Sequence, residues 1–382
     1  MTLVGDTHET YGATFEERGG RRRVAHYGRP DSAVRAVRNG VGVCEMAYGV
    51  VRVEGDDRVD FVDDAVSNRV PRTDGEGVYA LLLDPQGGIE TELYVYNADE
   101  RLLLFVPPER TTPLVEDWSE KVFIQDVSIA DATEEYAVFG VHGSGSTEKV
   151  ASVLNGAGAP EPPLSFVRGS MNDAGVTVIA TDAPTGEEGY EVICAAADAE
   201  QVFDTLLTRG LNAAPFGYRT WETLTAEAGT PLFDTELVGQ LPNVAGVRNG
   251  LDFEKGCYVG QEVVSKVENR GRPSRRLVGL LPERLPTADA AVFDGDSAVG
   301  EVTRAVDSPT LDRPVALAYV DFDVPVGPSP ADTESVDADA DDTTVTVRVD
   351  GEEVPATVVT LPFVAGSARS ARTPTYPEAA SE

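Results

Sequence analysis

Apolar and polar residues alternate along residues 50–53, and two apolar runs, 79–83 and 93–96, lie either side of the turn Asp84-Pro85-Gln86-Gly87-Gly88. Successive side chains of a strand face opposite ways, so the alternation predicts a strand, and the runs flanking the turn predict two more joined as a hairpin. A helical period precedes them: Ala33, Val34, Ala36 and Val37 share one face over 31–39, with Asp31 placed as N-cap and Gly40 as the stop. Residues 56–65 read as a second helix and 102–106 as a further strand. Strand, helix, strand, strand, strand is the order of a ferredoxin-like α+β unit built on an antiparallel sheet. The pattern returns in kind from residue 136. A strand there leads to a helix near 148–154, then come strands at 176–180 and 190–194 and helices at 198–209, which Asp198 would cap, and 218–228.

From residue 279 the spacing shortens to brief apolar strands separated by turn residues, which predicts a small β-barrel or sandwich. Residues 325–342 carry DTESVDADADD among Pro, Ser and Gly, and like charges packed so closely stay solvated, so a mobile loop is expected between barrel strands. The polar, proline-bearing stretch 366–382 reads as a disordered tail. The expected organisation is therefore a unit over 1–135, a second ferredoxin-like unit over 136–240, and a loop and β-barrel over 241–365.

Candidate chemistry concentrates in KGCYVGQE, Lys255–Glu262, which sets an ammonium, a thiol and a phenol around two glycines and carries neither period. It reads as a functional loop, with a plain turn needing two glycines as the bland alternative. Lys255 nearby would draw the Cys257 thiol toward its reactive ionised form, whereas a buried thiol would be inert. GVHGSGSTEK, residues 140–149, offers glycines and hydroxyls ahead of a helix but lacks the GKS ending of a phosphate-binding loop. His8, His26 and His142 are the only histidines and none has a metal-spaced neighbour, so no metal site is expected.

Four further stretches stand upstream in order: YGRPDSAVRAVRNGVGVCEMAYG (27–49), LLLDPQGGIETELYVY (81–96), TGEEGYEVIC (185–194) and PFGYRTWETLTAEAGTPLFDTEL (215–237). With the octapeptide they resemble the glycine cleavage T-protein superfamily, and the octapeptide itself resembles the signature of the YgfZ family of folate-binding proteins, here of haloarchaeal type. The resemblance implies two ferredoxin-like units around a central folate cleft, closed by the C-terminal barrel. It implies tetrahydrofolate or a one-carbon derivative as cofactor, and iron–sulfur enzymes or assembly proteins as partners in a supporting role. By resemblance Glu187, Tyr190, Glu191 and Arg219 would hold the pterin, and Lys255, Cys257, Tyr258 and Gln261 would form the family's own loop. A carboxylate accepting the paired N–H donors of a 2-aminopyrimidinone edge makes a charge-assisted bidentate bond, which is the chemistry Glu187 or Glu191 would supply. Arg219 would alternatively pair with Glu222 or Glu16.

Where the transferases of the superfamily carry adjacent aspartates, this chain has Thr91 and Glu92, so Glu92 is the candidate acid or else a solvated strand carboxylate. Glu45 and Tyr48 likewise stand where an Asp and a His are usual. The alternative function is a folate-dependent aminomethyltransferase of the glycine cleavage system using Glu92; a non-catalytic folate sensor or scaffold is the third.

Charge narrows the field. The 382 residues carry a formal charge of −34, which repels nucleic acid and anionic membrane surfaces. No apolar run reaches the roughly 18 residues of a membrane span, and Cys44, Cys194 and Cys257 are too scattered for a disulfide framework, so a reducing cytoplasm is expected. Four lysines among 31 basic residues, with acids on almost every loop, suit a salt-saturated cytoplasm that screens self-repulsion over about 3 Å at molar salt. The expected outcome is loss of far-UV circular dichroism on dialysis into dilute buffer; an unchanged spectrum would contradict the halophilic reading.

Overall fold

The computed structural model describes residues 2–269, 271–332 and 343–377. A five-stranded antiparallel sheet runs in the order Gly77–Leu83, Ile89–Ala98, Arg101–Val106, Gly49–Glu54, Ser128–Asp131. A six-stranded sheet runs Phe166–Met171, Ala174–Ala180, Gly189–Ala195, Tyr136–His142, Gly42–Glu45, Ala214–Pro215, antiparallel except for its last pair. Thr14–Arg18 and Arg21–His26 pair as a separate two-stranded sheet, and Arg275–Pro282, Ala291–Asp294, Ser297–Ser308, Arg313–Asp321, Thr344–Val349 and Glu352–Val359 close into a barrel. Closure leaves none of the barrel strands as an open edge. The architecture is the α+β fold with a barrel that the periodicities predict.

The two sheets do not divide the chain at residue 135. Strand Gly42–Glu45 pairs with Tyr136–His142 in the second sheet, and the chain then crosses to the first sheet at Gly49–Glu54. One core joins the two: Tyr79, Leu81, Tyr94, Tyr96 and Phe105 from the first sheet pack with Val138, Ile179 and Ile193 from the second. The outer faces bury separate clusters under helices, Leu93, Val95 and Leu104 with Trp118 on one side and Val141, Val178 and Val192 with Phe203 on the other. Both faces of each sheet are therefore apolar, which is why runs such as GVYALLL lack strict alternation.

Helix Pro30–Arg38 begins at Pro30, whose fixed φ suits the first helical position, so Asp31 lies inside the first turn rather than at the N-cap; Asp198 does occupy the N-cap position of helix Ala199–Thr208, without a side-chain bond. The octapeptide is not wholly loop, because its Gln261 opens helix Gln261–Asn269. Helix Thr111–Lys121, which buries Leu114 and Trp118, went unread behind Pro113. Of the acidic loop, residues 333–342 lie outside the described residues, as do 378–382 of the tail.

The expected disordered tail is corrected over 366–377. Ala368 N donates to Gly186 O at 3.2 Å, Ala371 N to Asp182 O at 2.9 Å and Thr375 N to Gly246 O at 3.0 Å. Tyr376 OH accepts from Leu277 N at 2.7 Å and donates to Val244 O at 2.8 Å. Gly366 sits so close to the Gly186 carbonyl that a β-carbon would collide with it. The segment is an irregular strap bonded to loops, to helix Pro242–Ala245 and to strand Arg275–Pro282, and such a strap has no periodicity to read.

A buried guanidinium ties these parts together. Arg38 donates to Glu227 at 2.9 Å and 3.1 Å, to Glu187 at 2.8 Å and to Thr185 O at 2.9 Å. Glu227 also accepts the barrel hydroxyls of Ser308 at 2.6 Å and Thr310 at 3.0 Å, and Glu187 accepts Ser367 N of the strap at 2.9 Å. Breaking a buried charge cluster by removing one partner leaves the others uncompensated. Arg38→Ala should lower unfolding free energy by about 3–5 kcal/mol in urea titrations at high salt and expose the strap to protease; a change under about 1 kcal/mol would show that the cluster is solvated.

Candidate functional site

The crossing between sheets builds the site. Met46–Tyr48 runs from one sheet to the other, with Met46 N bonded to Val138 O at 2.8 Å and Ala47 N to Tyr218 OH at 2.8 Å. Tyr48 stacks on Phe105 with ring centroids 5.4 Å apart, and its hydroxyl donates to Glu191 Oε1 at 2.7 Å. Beside them opens a cleft of about 110 Å³ that continues into solvent, walled by Tyr48, Tyr94, Phe105, Trp221 and Phe233 and reaching Glu92 and Arg372. Its aromatic lining suits the faces of a planar ring.

Glu92 lines this cleft, and Glu191 from the other sheet bonds to its Tyr48 wall. Glu92 and Tyr94 lie two apart on strand Ile89–Ala98 and so share its inner face. Glu92 Oε2 accepts Tyr79 OH at 2.9 Å and Arg372 Nη1 at 3.1 Å. Asp182 accepts Tyr94 OH at 3.0 Å and 2.9 Å and lies 3.2 Å from Arg372 Nε. Burial pushes the Glu92 carboxyl above its usual range, against the pull of Arg372 and Tyr79. Glu191 is buried more deeply and forms no ion pair among the described residues; burial pushes its carboxyl up to about 7, opposed by the Tyr48 hydrogen bond. Its Oε2 accepts no bond from the described residues. A flat heteroaromatic group with paired N–H donors fits this donor set: aromatic walls for its faces and a poorly satisfied carboxyl for its edge.

The other residues singled out in the sequence lie elsewhere. Glu187 is locked in the Arg38 cluster. Tyr190, next to Glu191 on the strand, faces the other way, with its hydroxyl 2.9 Å from Thr147 Oγ1. Arg219 is exposed on helix Tyr218–Glu227, while Tyr218 and Trp221 of that helix line the cleft. Its supposed partners are taken: Glu222 lies 3.3 Å from Arg18 and Glu16 lies 2.7 Å from Arg23.

The octapeptide packs beneath the hairpin turn, with Gly260 (φ +81°) against the Asp84 carbonyl. Lys255 is buried, 3.3 Å from the Asp63 carboxylate and 3.1 Å from Asn68 O, and burial lowers its ammonium against the pull of Asp63. Cys257 is a free, exposed thiol. Tyr258 is buried with its hydroxyl unpartnered, and Gln261 Nε2 reaches Lys255 O at 3.4 Å. None of these four lines the cleft.

Sequence reasoning missed Tyr48, Tyr79, Tyr94, Asp182 and Arg372 as site residues. The period-two run through Glu92, Tyr94 and Tyr96 was a usable signal for Tyr94, and the substitution at Tyr48 for another; nothing local marked Arg372. Among the described residues no cluster of His, Cys, Asp and Glu has the arrangement of a metal site, and no helix is long and apolar enough to cross a membrane.

Residues 4–252 match the family model described as the GCVT N-terminal domain, and residues 275–365 match that of the glycine cleavage T-protein C-terminal barrel domain. The chain is 32% identical over 375 residues to a protein of Streptomyces avermitilis named aminomethyltransferase, covering 95% of this chain and 96% of the relative. It is 30% identical over 373 residues to one of the same name from Saccharopolyspora erythraea, covering 95% and 97%. The crystal structure of glycine cleavage system aminomethyltransferase T from Bartonella henselae matches with a TM-score of 0.82 and 21% identity over 99% of both chains, which shows the fold.

Glu191 makes stability depend on pH with a definite sign. Its carboxyl titrates near 4.5 ordinarily and near 7 when folded, so the native state holds the proton more tightly. The resulting stabilisation is complete below 4.5, drains as pH rises and is gone above 7. Relative to Glu191→Gln, the wild type should lose roughly 3 kcal/mol of unfolding free energy across that window. Parallel stability curves for the two proteins would contradict the elevated titration.

Proposed function

This chain belongs to the glycine cleavage T-protein family, and on that premise we propose that it is a folate-dependent aminomethyltransferase that binds tetrahydrofolate or a one-carbon derivative in the cleft between its sheets. The observation that carries the reading is Glu92, a carboxyl on the wall of an aromatic cleft, with Glu191 from the other sheet joined to the Tyr48 wall of that cleft by a 2.7 Å hydrogen bond. The names of the relatives support it over a purely supporting role for iron–sulfur enzymes.

In this reading Glu191 accepts the paired N–H donors of the pterin edge, held in place by Tyr48, whose ring also lies against Phe105. Trp221, Phe233 and Phe105 exclude water from the bound ring. The reduced pterin, when bound, supplies the nitrogen that carries the one-carbon unit. Both protein bonds to Glu92 converge on Oε2, so Oε1 is the atom left to take and return a proton. Glu92 thus stands in for the missing aspartate pair with a longer side chain, which Tyr79 and Arg372 hold in one position.

A second reading, support of iron–sulfur enzymes in the manner of the YgfZ family, is favoured by one observation: Cys257 stands exposed on the octapeptide, away from the cleft. Folate-dependent ammonia release from an aminomethyl-lipoyl carrier protein separates the two. The transferase reading expects release that falls about 10²–10⁴-fold in Glu92→Gln and is unchanged in Cys257→Ala. Folate binding without release, together with loss of iron–sulfur enzyme activities in a deletion strain restored by wild type and not by Cys257→Ala, would favour the second reading. Restoration by Cys257→Ala as well would leave a non-catalytic folate sensor.

A further inference from the structure

Arg372 lies beyond the last barrel strand, yet its side chain is only 5% exposed and ends among the acids of the cleft. The strap fixes it from both sides. Ala371 N is bonded to Asp182 O at 2.9 Å, and Thr373 Oγ1 reaches Ala228 O at 3.4 Å. The guanidinium sits 5.5 Å from the Tyr79 ring centroid and 5.8 Å from that of Tyr94, within cation–π range of both. It donates to Glu92 Oε2 at 3.1 Å and lies 3.2 Å from Asp182 Oδ2, so a single cation faces two carboxylates.

Glu92 is pressed toward its neutral form from several directions. Strand Ile89–Ala98 and its partner strand bury it, Asp182 faces it from the loop before Gly189–Ala195, and Asp234 faces it from Phe233–Leu237. Two groups act the other way, the Tyr79 hydroxyl from Gly77–Leu83 and Arg372 from the strap, and Arg372 is the one that carries charge. A neutral Glu92 would already hold its proton and have none to accept.

We infer that Arg372 is a positioning residue for the proposed reaction: the C-terminal strap delivers one guanidinium to Glu92 and Asp182 together, keeps Glu92 ionised and so makes it a proton acceptor. The inference rests on the transferase reading for its role and on the geometry for its physics. In the step concerned, Glu92 Oε1 takes one proton from the reacting nitrogen as that nitrogen bonds to the carbon of the carrier's aminomethyl group and the bond from that carbon to the protonated amine breaks, the amine leaving as ammonia with the electron pair; Glu92 becomes a neutral acid and later gives the proton to water, with no change of oxidation state. The orientation of the acceptor then depends on residues 366–377, so the barrel side of the molecule completes a site whose other parts lie on the two sheets.

Two measurements on the full chain test this. The first is the pH profile of folate-dependent ammonia release for wild type, Arg372→Gln and Arg372→Lys; the second is the titration of the Glu92 side-chain carbon by ¹³C NMR, assigned with Glu92→Gln. Arg372→Gln should move the acidic limb of the profile and the NMR midpoint upward together by about 1–3 pH units, the shift expected when an adjacent opposite charge is lost. Arg372→Lys should restore most of it. A uniform fall in rate with limb and midpoint unmoved would assign Arg372 a merely structural role and overturn the inference. If wild type releases no ammonia at any pH, the transferase reading fails, while the NMR midpoints still decide whether Arg372 ionises Glu92. If Arg372→Gln does not fold, Arg372→Lys decides: charge is retained, so a midpoint displaced by more than about one unit would overturn the inference.

Discussion

A carboxylate taken out of water must find a cation or enough N–H and O–H donors, and that requirement organises the centre of this molecule. Among the described residues five acids are almost fully buried: Asp182, Glu187, Glu191, Glu227 and Glu236. Arg38 neutralises Glu187 and Glu227, Arg304 lies 3.3 Å from Glu236, and Arg372 meets Asp182 together with the less deeply buried Glu92. Glu191 alone has no cation and relies on the Tyr48 hydroxyl. The four paired acids hold segments together. The unpaired one is left with binding capacity that the protein does not use.

That asymmetry follows from the path of the chain. Because Gly42–Glu45 belongs to the second sheet and Gly49–Glu54 to the first, the link between them must run through the seam, and it brings Tyr48 to Glu191. The strap returns to the same seam after the last barrel strand and brings Arg372 to Glu92. Elements far apart in sequence thus set the two carboxyls in different states, one poorly satisfied and one held by charge, as required of groups given different tasks.

The periodicities carried much of the fold. Alternation at 50–53, the apolar runs at 79–83 and 93–96 and the helical spacing at 33–37 each correspond to elements of the structure, and the short strands after 279 close into the barrel. Sheet membership was not legible, since a four-residue strand such as Gly42–Glu45 carries no mark of the sheet it joins. The strap was hidden for a related reason: its hydrogen bonds follow no ladder, and its Ser, Ala and Arg composition is that of a tail. For the site, residue type showed that Glu92 and Glu191 were candidates, but only three dimensions separate Glu191 from Glu187, four positions earlier on the other side of Gly189, which Arg38 claims. Arg219 and the octapeptide show the converse, being conspicuous in the chain yet placed away from the cleft.

The most direct test of the proposed role of Glu191 is a crystal structure of the protein with 5-formyltetrahydrofolate. The account predicts the pterin between Tyr48 and Trp221 with its paired N–H donors within hydrogen-bond distance, about 3 Å, of the Glu191 carboxylate. A ligand lodged elsewhere, with Glu191 still bound only by Tyr48, would contradict it.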